Sequence, residues 1–278
     1  MEAAEGSFSV VCNDGVRLSY TVSGLQGPAV ILIHGWSGSS KYFTLNVEAL
    51  AKTCRVVTLD LRFHGDSDKP AWGFHVSRLA ADLHSLITST WLAAAKPALL
   101  GTSLGCAVIW SYVELFGQEG LSKFIFVDQA PSQWVFPDWT LGSKGIYDAA
   151  SLARIQAAVL DLDSFADGNA ECCLSKPPSS EVMVKLKSET LRCVPAHLGA
   201  LMADHAPKDW RPILRRITVP CLNLYGTDSG CFPAAGCEAV TELIGSNCRS
   251  HAFEGCNHWL YLEEPERFNS LVSAFLHE

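Results

Sequence analysis

The chain has 278 residues and a formal net charge of −8, with 48% hydrophobic and 18% charged residues. This composition excludes global disorder and predicts a large buried core, sized for one α/β domain rather than two independent ones. Because no cluster of lysine and arginine stands out, neither nucleic acid nor an anionic membrane is expected as a partner.

The N-terminal segment and the cysteines indicate the compartment. Residues 1–6 (MEAAEG) lack the basic start and apolar centre of a secretory signal. The most apolar stretch, residues 91–110, is interrupted by Lys96, Pro97, Gly101 and Gly105, so it is not a membrane span. The eleven cysteines show no metal-site spacing. We therefore expect a cytoplasmic protein with reduced cysteines and with no metal or other cofactor.

Apolar runs and helical patterns alternate along most of the chain. We predict strands at residues 7–11, 17–22, 29–33, 54–59, 97–100, 124–127, 220–225 and 249–253. We predict helices at residues 42–51, 76–89, 106–115, 236–244 and 265–276. This alternation predicts a mostly parallel, doubly wound sheet. Residues 133–214 contain helical patterns and no clear strand, which predicts a helical cap on a core formed by residues 1–132 and 215–278.

A serine between two glycines follows the strand predicted at residues 97–100. In Gly101-Thr102-Ser103-Leu104-Gly105 the glycines allow a strand to turn abruptly into a helix without Cβ collisions. Such a turn exposes the serine hydroxyl, which then needs a base to remove its proton. Ser103 is therefore the candidate nucleophile of an acyl-transfer enzyme.

Two further segments supply the other parts of such a site. His34-Gly35-Trp36 follows a buried strand, and the backbone N–H groups of Trp36 and Leu104 are placed to form an oxyanion hole. His258 lies in a loop between the last strand and the last helix, so it is the candidate base. His34 itself is interpreted as a brace for the oxyanion loop.

Taken together, these motifs resemble the α/β-hydrolases, specifically the esterases similar to non-haem chloroperoxidases. The likeness covers nearly the full chain and is weakest across residues 133–214. The family pattern R-G-H-G-x-S-D corresponds to residues 62–68, with Phe63 in place of the first glycine, and Asn257-His258 precedes Glu263-Glu264-Pro265. The resemblance implies an α/β-hydrolase fold and a cofactor-free serine hydrolase acting on carboxylic esters, with perhydrolysis as a side activity.

The acid that orients the histidine is where the chain departs from this pattern. Family members usually carry G-x-x-D-x-x-x-P after the strand that follows the cap. Here that segment starts at Gly226 and ends at Pro233, and Ser229 occupies the acid position, one residue after Asp228. Some branches of the fold place the acid at the end of the strand before the cap, where this chain has Asp128. Asp128 is the first candidate for the acid, and Asp228 remains the alternate.

The substrate is expected to be a small, apolar molecule bound between core and cap. Aromatic residues near the site predict such a pocket: Trp36, Trp134, Trp139 and Trp259. Two other functions remain open, namely a cofactor-independent oxygenase or lyase that uses a His/Asp dyad, and a hydrolase-like ligand receptor. The sequence leaves the identity of the substrate and the oligomeric state open.

Overall fold

The computed structural model describes residues 4–278. Met1, Glu2 and Ala3, which belong to the predicted N-terminal segment and core range, lie outside the described residues. Among residues 4–278, none of the helices combines the length and apolar character that a membrane span requires.

Eight strands form one sheet in the order β1-β2-β4-β3-β5-β6-β7-β8. Their bounds are β1 Gly6–Val11, β2 Arg17–Ser23, β3 Ala29–Ile33, β4 Arg55–Leu59, β5 Ala98–Thr102, β6 Phe124–Val127, β7 Cys221–Gly226 and β8 Cys248–Phe253. The pairs β1–β2 and β2–β4 are antiparallel. All other neighbours pair in parallel, so the predicted α/β architecture is confirmed.

Helices cover both faces of the sheet. Their bounds are α1 Val47–Ala51, α2 Val76–Thr88, α3 Leu92–Ala95, α4 Leu104–Phe116, α5 Ala149–Ala158, α6 Leu162–Cys173, α7 Ser180–Thr190, α8 Pro195–His205, α9 Arg211–Leu214, α10 Ala234–Ile244, α11 Leu260–Glu263 and α12 Pro265–His277. The five helices α5–α9 all lie between β6 and β7 in the chain.

The apolar run at residues 29–33 is buried on both faces, as a central parallel strand requires. Ile31 and Ile33 pack in one apolar core, which includes α2 and α4. Val30 and Leu32 pack in a second core on the opposite face, which includes α12. The period-2 alternation of the strand therefore joins the two layers.

One predicted helix is shorter than expected. Residues 42–51 form a 3-10 turn at Ser40–Phe43 followed by α1. Asn46 interrupts the helix because its side chain makes tertiary contacts instead, donating hydrogen bonds to Tyr261 and Asn269 at 3.0 Å each. The other helices predicted outside residues 133–214 are present, with ends shifted by at most two residues.

Candidate active site

Ser103 occupies a strained turn between β5 and α4. Its backbone has φ 52° and ψ −120°, in a region that L-residues rarely adopt. Such strain persists only where the surrounding structure holds the backbone in place. Here the backbone packs so closely around the turn that only glycine fits at the two flanking positions. A Cβ on Gly101 would lie 2.4 Å from the backbone of Gly105, and a Cβ on Gly105 would lie 2.3 Å from the carbonyl oxygen of Ile33. The sharp turn predicted at Ser103 is therefore present.

The loop after β3 approaches this turn closely. A Cβ on Gly35 would lie only 3.2 Å from the Cβ of Ser103. Leu104 is the first residue of α4, so its N–H has no acceptor within that helix. His34 Nδ1–H donates to the carbonyl of Gly35 at 2.7 Å, and its Nε2 accepts from the N–H of Leu61 at 3.1 Å. His34 thus fastens the loop that carries Trp36.

A carboxylate contacts the imidazole of His258 from the end of β6. Asp128 Oδ2 lies 2.5 Å from His258 Nδ1, and the Asp128 side chain is fully buried. The same oxygen accepts a hydrogen bond from the hydroxyl of Ser229 at 2.7 Å. The N–H of Gly226 donates to Oδ1 at 3.0 Å. These bonds fix the carboxylate beside Nδ1 of His258. In a neutral imidazole that donates from Nδ1 to Asp128, Nε2 carries the lone pair.

Asp228, the alternate acid, lies apart from this contact. It is exposed to solvent and its carboxylate accepts a hydrogen bond from the hydroxyl of Thr227 at 3.4 Å. Because β6 and β7 are parallel neighbours, Asp128 and Asp228 leave the same edge of the sheet. Only Asp128 is turned toward His258, through a positive φ of 48°.

Two cysteines also lie close to the imidazole of His258. Cys173 Sγ and Cys231 Sγ are 3.8 Å apart, and both lie within 4.8 Å of a ring nitrogen of His258. Hydrogen bonds with Cys172 and Cys173, together with the charge of His258, lower the pKa of Cys231 well below its usual value. Burial lowers the pKa of His258, but the charge of Cys231 and the bond to Asp128 outweigh burial and raise it.

Ser103 and His258 open onto one cavity of about 150 Å³. Residues of the helical insertion complete its wall, among them Gln133, Asn169, Met202 and His205. A dry cavity of about this volume binds a ligand the size of benzene. The pocket expected between residues 133–214 and the sheet is therefore present.

The predicted tryptophans divide into two pairs. Trp36 and Trp259 line the cavity, and the ring nitrogen of Trp36 donates to the carbonyl of Leu198 in α8 at 3.0 Å. Trp134 and Trp139, which were also expected at the pocket, do not line this cavity. Trp139 is buried in a separate apolar cluster, and its ring nitrogen donates to the carbonyl of Ser132 at 3.3 Å. Trp134 does not line the cavity, and its neighbour Gln133 does so instead.

Sequence reasoning missed four residues of the site. Ser229 was noted only as the occupant of the usual acid position, whereas its hydroxyl bonds to Asp128. Cys173 and Cys231 were considered only as two of the cysteines expected to be reduced. No spacing signal joins them to His258, because the three lie on different segments. His205 carries no motif, yet it lines the cavity with a buried Nδ1 that lacks a partner within residues 4–278.

The strained serine turn, the loop after β3 and the histidine after the last strand together match a known family. The model of the alpha/beta hydrolase family matches residues 30–271. The chain belongs to this family. The family predicted from the motifs is therefore confirmed, and the chain is called the α/β-hydrolase below.

Relatives of this α/β-hydrolase carry different activities in their names. Epoxide hydrolase 3 of Xenopus tropicalis is 23% identical, over 96% of this chain and 76% of its own length. A pimeloyl-[acyl-carrier protein] methyl ester esterase of Vibrio cholerae is 25% identical, over 94% and 98%. A bromoperoxidase structure from Bacillus anthracis superimposes with a TM-score of 0.90 at 23% identity, over 98% and 100%. This superposition agrees with the α/β-hydrolase fold of the chain.

Proposed function

We propose that the protein is a cofactor-free serine hydrolase that cleaves carboxylic esters with a small acyl group. The observation that carries this proposal is the buried Asp128–His258 pair, which opens on the same cavity as Ser103. A nucleophile, an orienting acid and a base in this chain order form the Ser-Asp-His arrangement of a catalytic triad. Hydrolase relatives support the reaction class, and the triad assignment rests on the geometry.

In the first half-reaction, His258 Nε2 takes the proton of the Ser103 hydroxyl while Oγ attacks the ester carbonyl carbon. The carbonyl oxygen becomes an oxyanion, which the N–H groups of Trp36 and Leu104 stabilise. Each such donor lowers the barrier by roughly 2.7–4 kcal/mol in measured cases. The intermediate then collapses, the C–O bond to the alcohol breaks, and the imidazolium returns its proton to the leaving oxygen.

In the second half-reaction, water replaces the alcohol. His258 removes a proton from the water, the hydroxide oxygen attacks the acyl carbon, and the same N–H groups hold the oxyanion again. Collapse breaks the bond to Ser103, which recovers its proton from His258, and the carboxylic acid leaves. Throughout, Asp128 keeps the imidazole in one tautomer and stabilises its positive charge.

A serine nucleophile fits an ester better than an epoxide, although one relative is named as an epoxide hydrolase. Attack of Ser103 Oγ on an epoxide carbon would form an ether. An ether lacks the carbonyl that lets an activated water form a tetrahedral intermediate, so the enzyme would remain alkylated. An acyl group on Ser103 has that carbonyl, and turnover is possible.

We further propose that residues 133–214 are a cap that sets the size of the acyl group. Support comes from the cavity, whose wall includes Gln133 and Met202 of this segment opposite Ser103 and His258 of the sheet. The small volume favours acetyl to butyryl or simple aryl groups over long acyl chains. Eleven free cysteines favour a reducing compartment, and we place the protein in the cytoplasm.

The test combines a covalent probe with a panel of p-nitrophenyl esters from acetate to octanoate. A fluorophosphonate should label the native protein on Ser103, and Ser103→Ala should lose both labelling and hydrolysis. The loss of kcat should be roughly 10⁵–10⁶-fold, as for other isolated triad serines. Activity should be greatest for short acyl groups.

Ser111→Ala is the matched control, because this buried serine of α4 does not line the cavity. It should keep both labelling and hydrolysis. Labelling that survives in Ser103→Ala would contradict the proposal. Turnover of a heteroaromatic substrate that needs His258 but not Ser103 would favour the dyad oxygenase instead. Ligand-induced stabilisation without turnover would favour a receptor.

A further inference from the structure

His258 and two neighbouring cysteines have the arrangement of a metal site. Cys173 is the last residue of α6, Cys231 lies between β7 and α10, and His258 follows β8. Their Sγ and ring-nitrogen atoms all lie within 4.8 Å of one another. Three chain segments thus bring two thiols and an imidazole together.

The distances fit one cation. Zinc–sulfur bonds of about 2.3 Å at tetrahedral angles put two sulfur ligands about 3.8 Å apart. The Sγ atoms of Cys173 and Cys231 are 3.8 Å apart. One ion between them would meet both sulfurs with little movement of either side chain. The neighbouring thiol of Cys172 is exposed and does not belong to this set.

The donor chemistry points to the same class of ion. Two thiolates and one imidazole are the ligands of zinc and similar borderline-soft cations, and exclude magnesium and calcium. His258 Nδ1 bonds to Asp128, which leaves Nε2 as the metal ligand. A carboxylate behind a ligating histidine is the usual support of zinc sites.

The three ligands are also reachable. All of them line the cavity that holds Ser103, so an ion can enter by the path that substrate takes. Three protein ligands leave a fourth tetrahedral position, which would take water. Binding needs both thiolates and a free imidazole nitrogen, so any protons on these three groups pass to solvent, and no oxidation state changes.

We propose that Cys173, Cys231 and His258 bind Zn²⁺ and thereby reversibly inhibit the enzyme. The inhibitory part rests on the proposed function, because it assumes that His258 is the base. A metal on Nε2 occupies the lone pair that would accept the Ser103 proton, and it stands in the cavity where the ester binds. The cluster therefore makes turnover sensitive to free zinc.

The binding test does not depend on activity. Co²⁺ is titrated into the full-length protein with a non-thiol reductant, and absorbance is recorded. The expected result is a one-to-one complex with the sulfur-to-cobalt charge-transfer band and intense d–d bands of a tetrahedral thiolate site, displaced by Zn²⁺. Cys173→Ser and Cys231→Ser should each weaken Co²⁺ binding by at least about tenfold. Cys248→Ser is the matched control, since this half-buried cysteine begins β8 at the opposite end of the sheet.

Activity then tests the consequence. Zn²⁺ should inhibit ester hydrolysis, a chelator should restore it, and each cysteine variant, relative to its own zinc-free rate, should need at least about tenfold more Zn²⁺. If the buried Cys173→Ser variant fails to fold, the half-buried Cys231→Ser carries the test. A missing thiolate band, or binding that is unchanged in Cys231→Ser, overturns the site. Tight binding without inhibition overturns the regulatory role, and absent hydrolysis in zinc-free protein counts against the proposed function alone.

Discussion

The loops that follow β6 and β7 lie side by side, and each carries an aspartate, but the two aspartates have different environments. Asp128 is fully buried, accepts hydrogen bonds from Gly226 and Ser229, and contacts His258 at 2.5 Å. Asp228 is exposed and bonds only to its neighbour Thr227 among the side chains of residues 4–278. The position that usually holds the acid thus still serves the imidazole, through a serine that holds the relocated carboxylate.

The proposed triad implies that two adjacent strand ends can exchange one chemical role. The strands are hydrogen-bonded neighbours, so their carboxyl ends lie close together. A carboxylate from either loop could therefore reach the histidine. What decides between them is the backbone: a positive φ of 48° turns Asp128 into the site. Such a conformation is costly for a non-glycine residue and is maintained where packing imposes it.

The largest expected effect comes from removing each carboxylate in turn. Asp128→Asn should lower kcat by about 10⁴-fold, because the amide supports the wrong tautomer of His258. Asp228→Asn, an exposed change of the same chemistry, should leave kcat and KM unchanged. Steady-state hydrolysis of p-nitrophenyl acetate measures both. If both variants kept their kcat, neither aspartate would be the acid that orients His258. If only Asp228→Asn lost activity, Asp228 would be that acid.

The sequence predicted the parts of the site that a local pattern determines. The serine turn needs glycines two residues away on each side, and contacts of less than 3 Å at Gly101 and Gly105 explain why. The order of strand, serine, helix and later histidine followed from hydrophobic runs and motif spacing. Even Phe63, the departure from the family pattern, keeps a glycine-like backbone with φ 77°.

The acid and the cysteine cluster required three-dimensional information. Asp128 and His258 are 130 positions apart, and the sequence left Asp128 and Asp228 as alternative acids because both follow neighbouring strands. Cys173 and Cys231 are 58 positions apart and share no motif with His258. For Trp139, the sequence indicates that a large aromatic side chain is buried. It does not indicate which apolar cluster buries that side chain, because this depends on tertiary packing.

A smaller loss of kcat should follow when Asp128 is kept but one of its hydrogen bonds is removed. Ser229→Ala deletes the hydroxyl that donates to Asp128 Oδ2 at 2.7 Å. Because a hydrogen bond to a charged group contributes about 1.5–3 kcal/mol and its loss is partly relaxed, kcat should fall about tenfold with little change in KM. Ser229→Thr, which keeps the hydroxyl, should restore the rate. A rise in KM alone would indicate a substrate contact instead of a positioning role.

The smallest effect concerns two buried histidines that, unlike His258, are kept neutral by burial. Burial lowers the pKa of His64 to about 3 and that of His205 to about 4, whereas the pKa of His258 is raised. In the unfolded chain a histidine titrates near 6.5. Below that pH the unfolded state therefore binds more protons than the folded state, and the free energy of unfolding falls as the pH drops toward 4. Above pH 6.5 this contribution is complete.

Each buried neutral histidine adds up to about 1.4 kcal/mol per pH unit to this slope. Urea unfolding between pH 7 and pH 4.5 measures it, and His205→Gln should flatten the slope because glutamine does not titrate. His277→Gln, at an exposed residue of α12, is the control and should leave the slope unchanged. A slope that is equal in all three proteins would contradict the prediction, because it would mean that burial does not keep His205 neutral in the folded state.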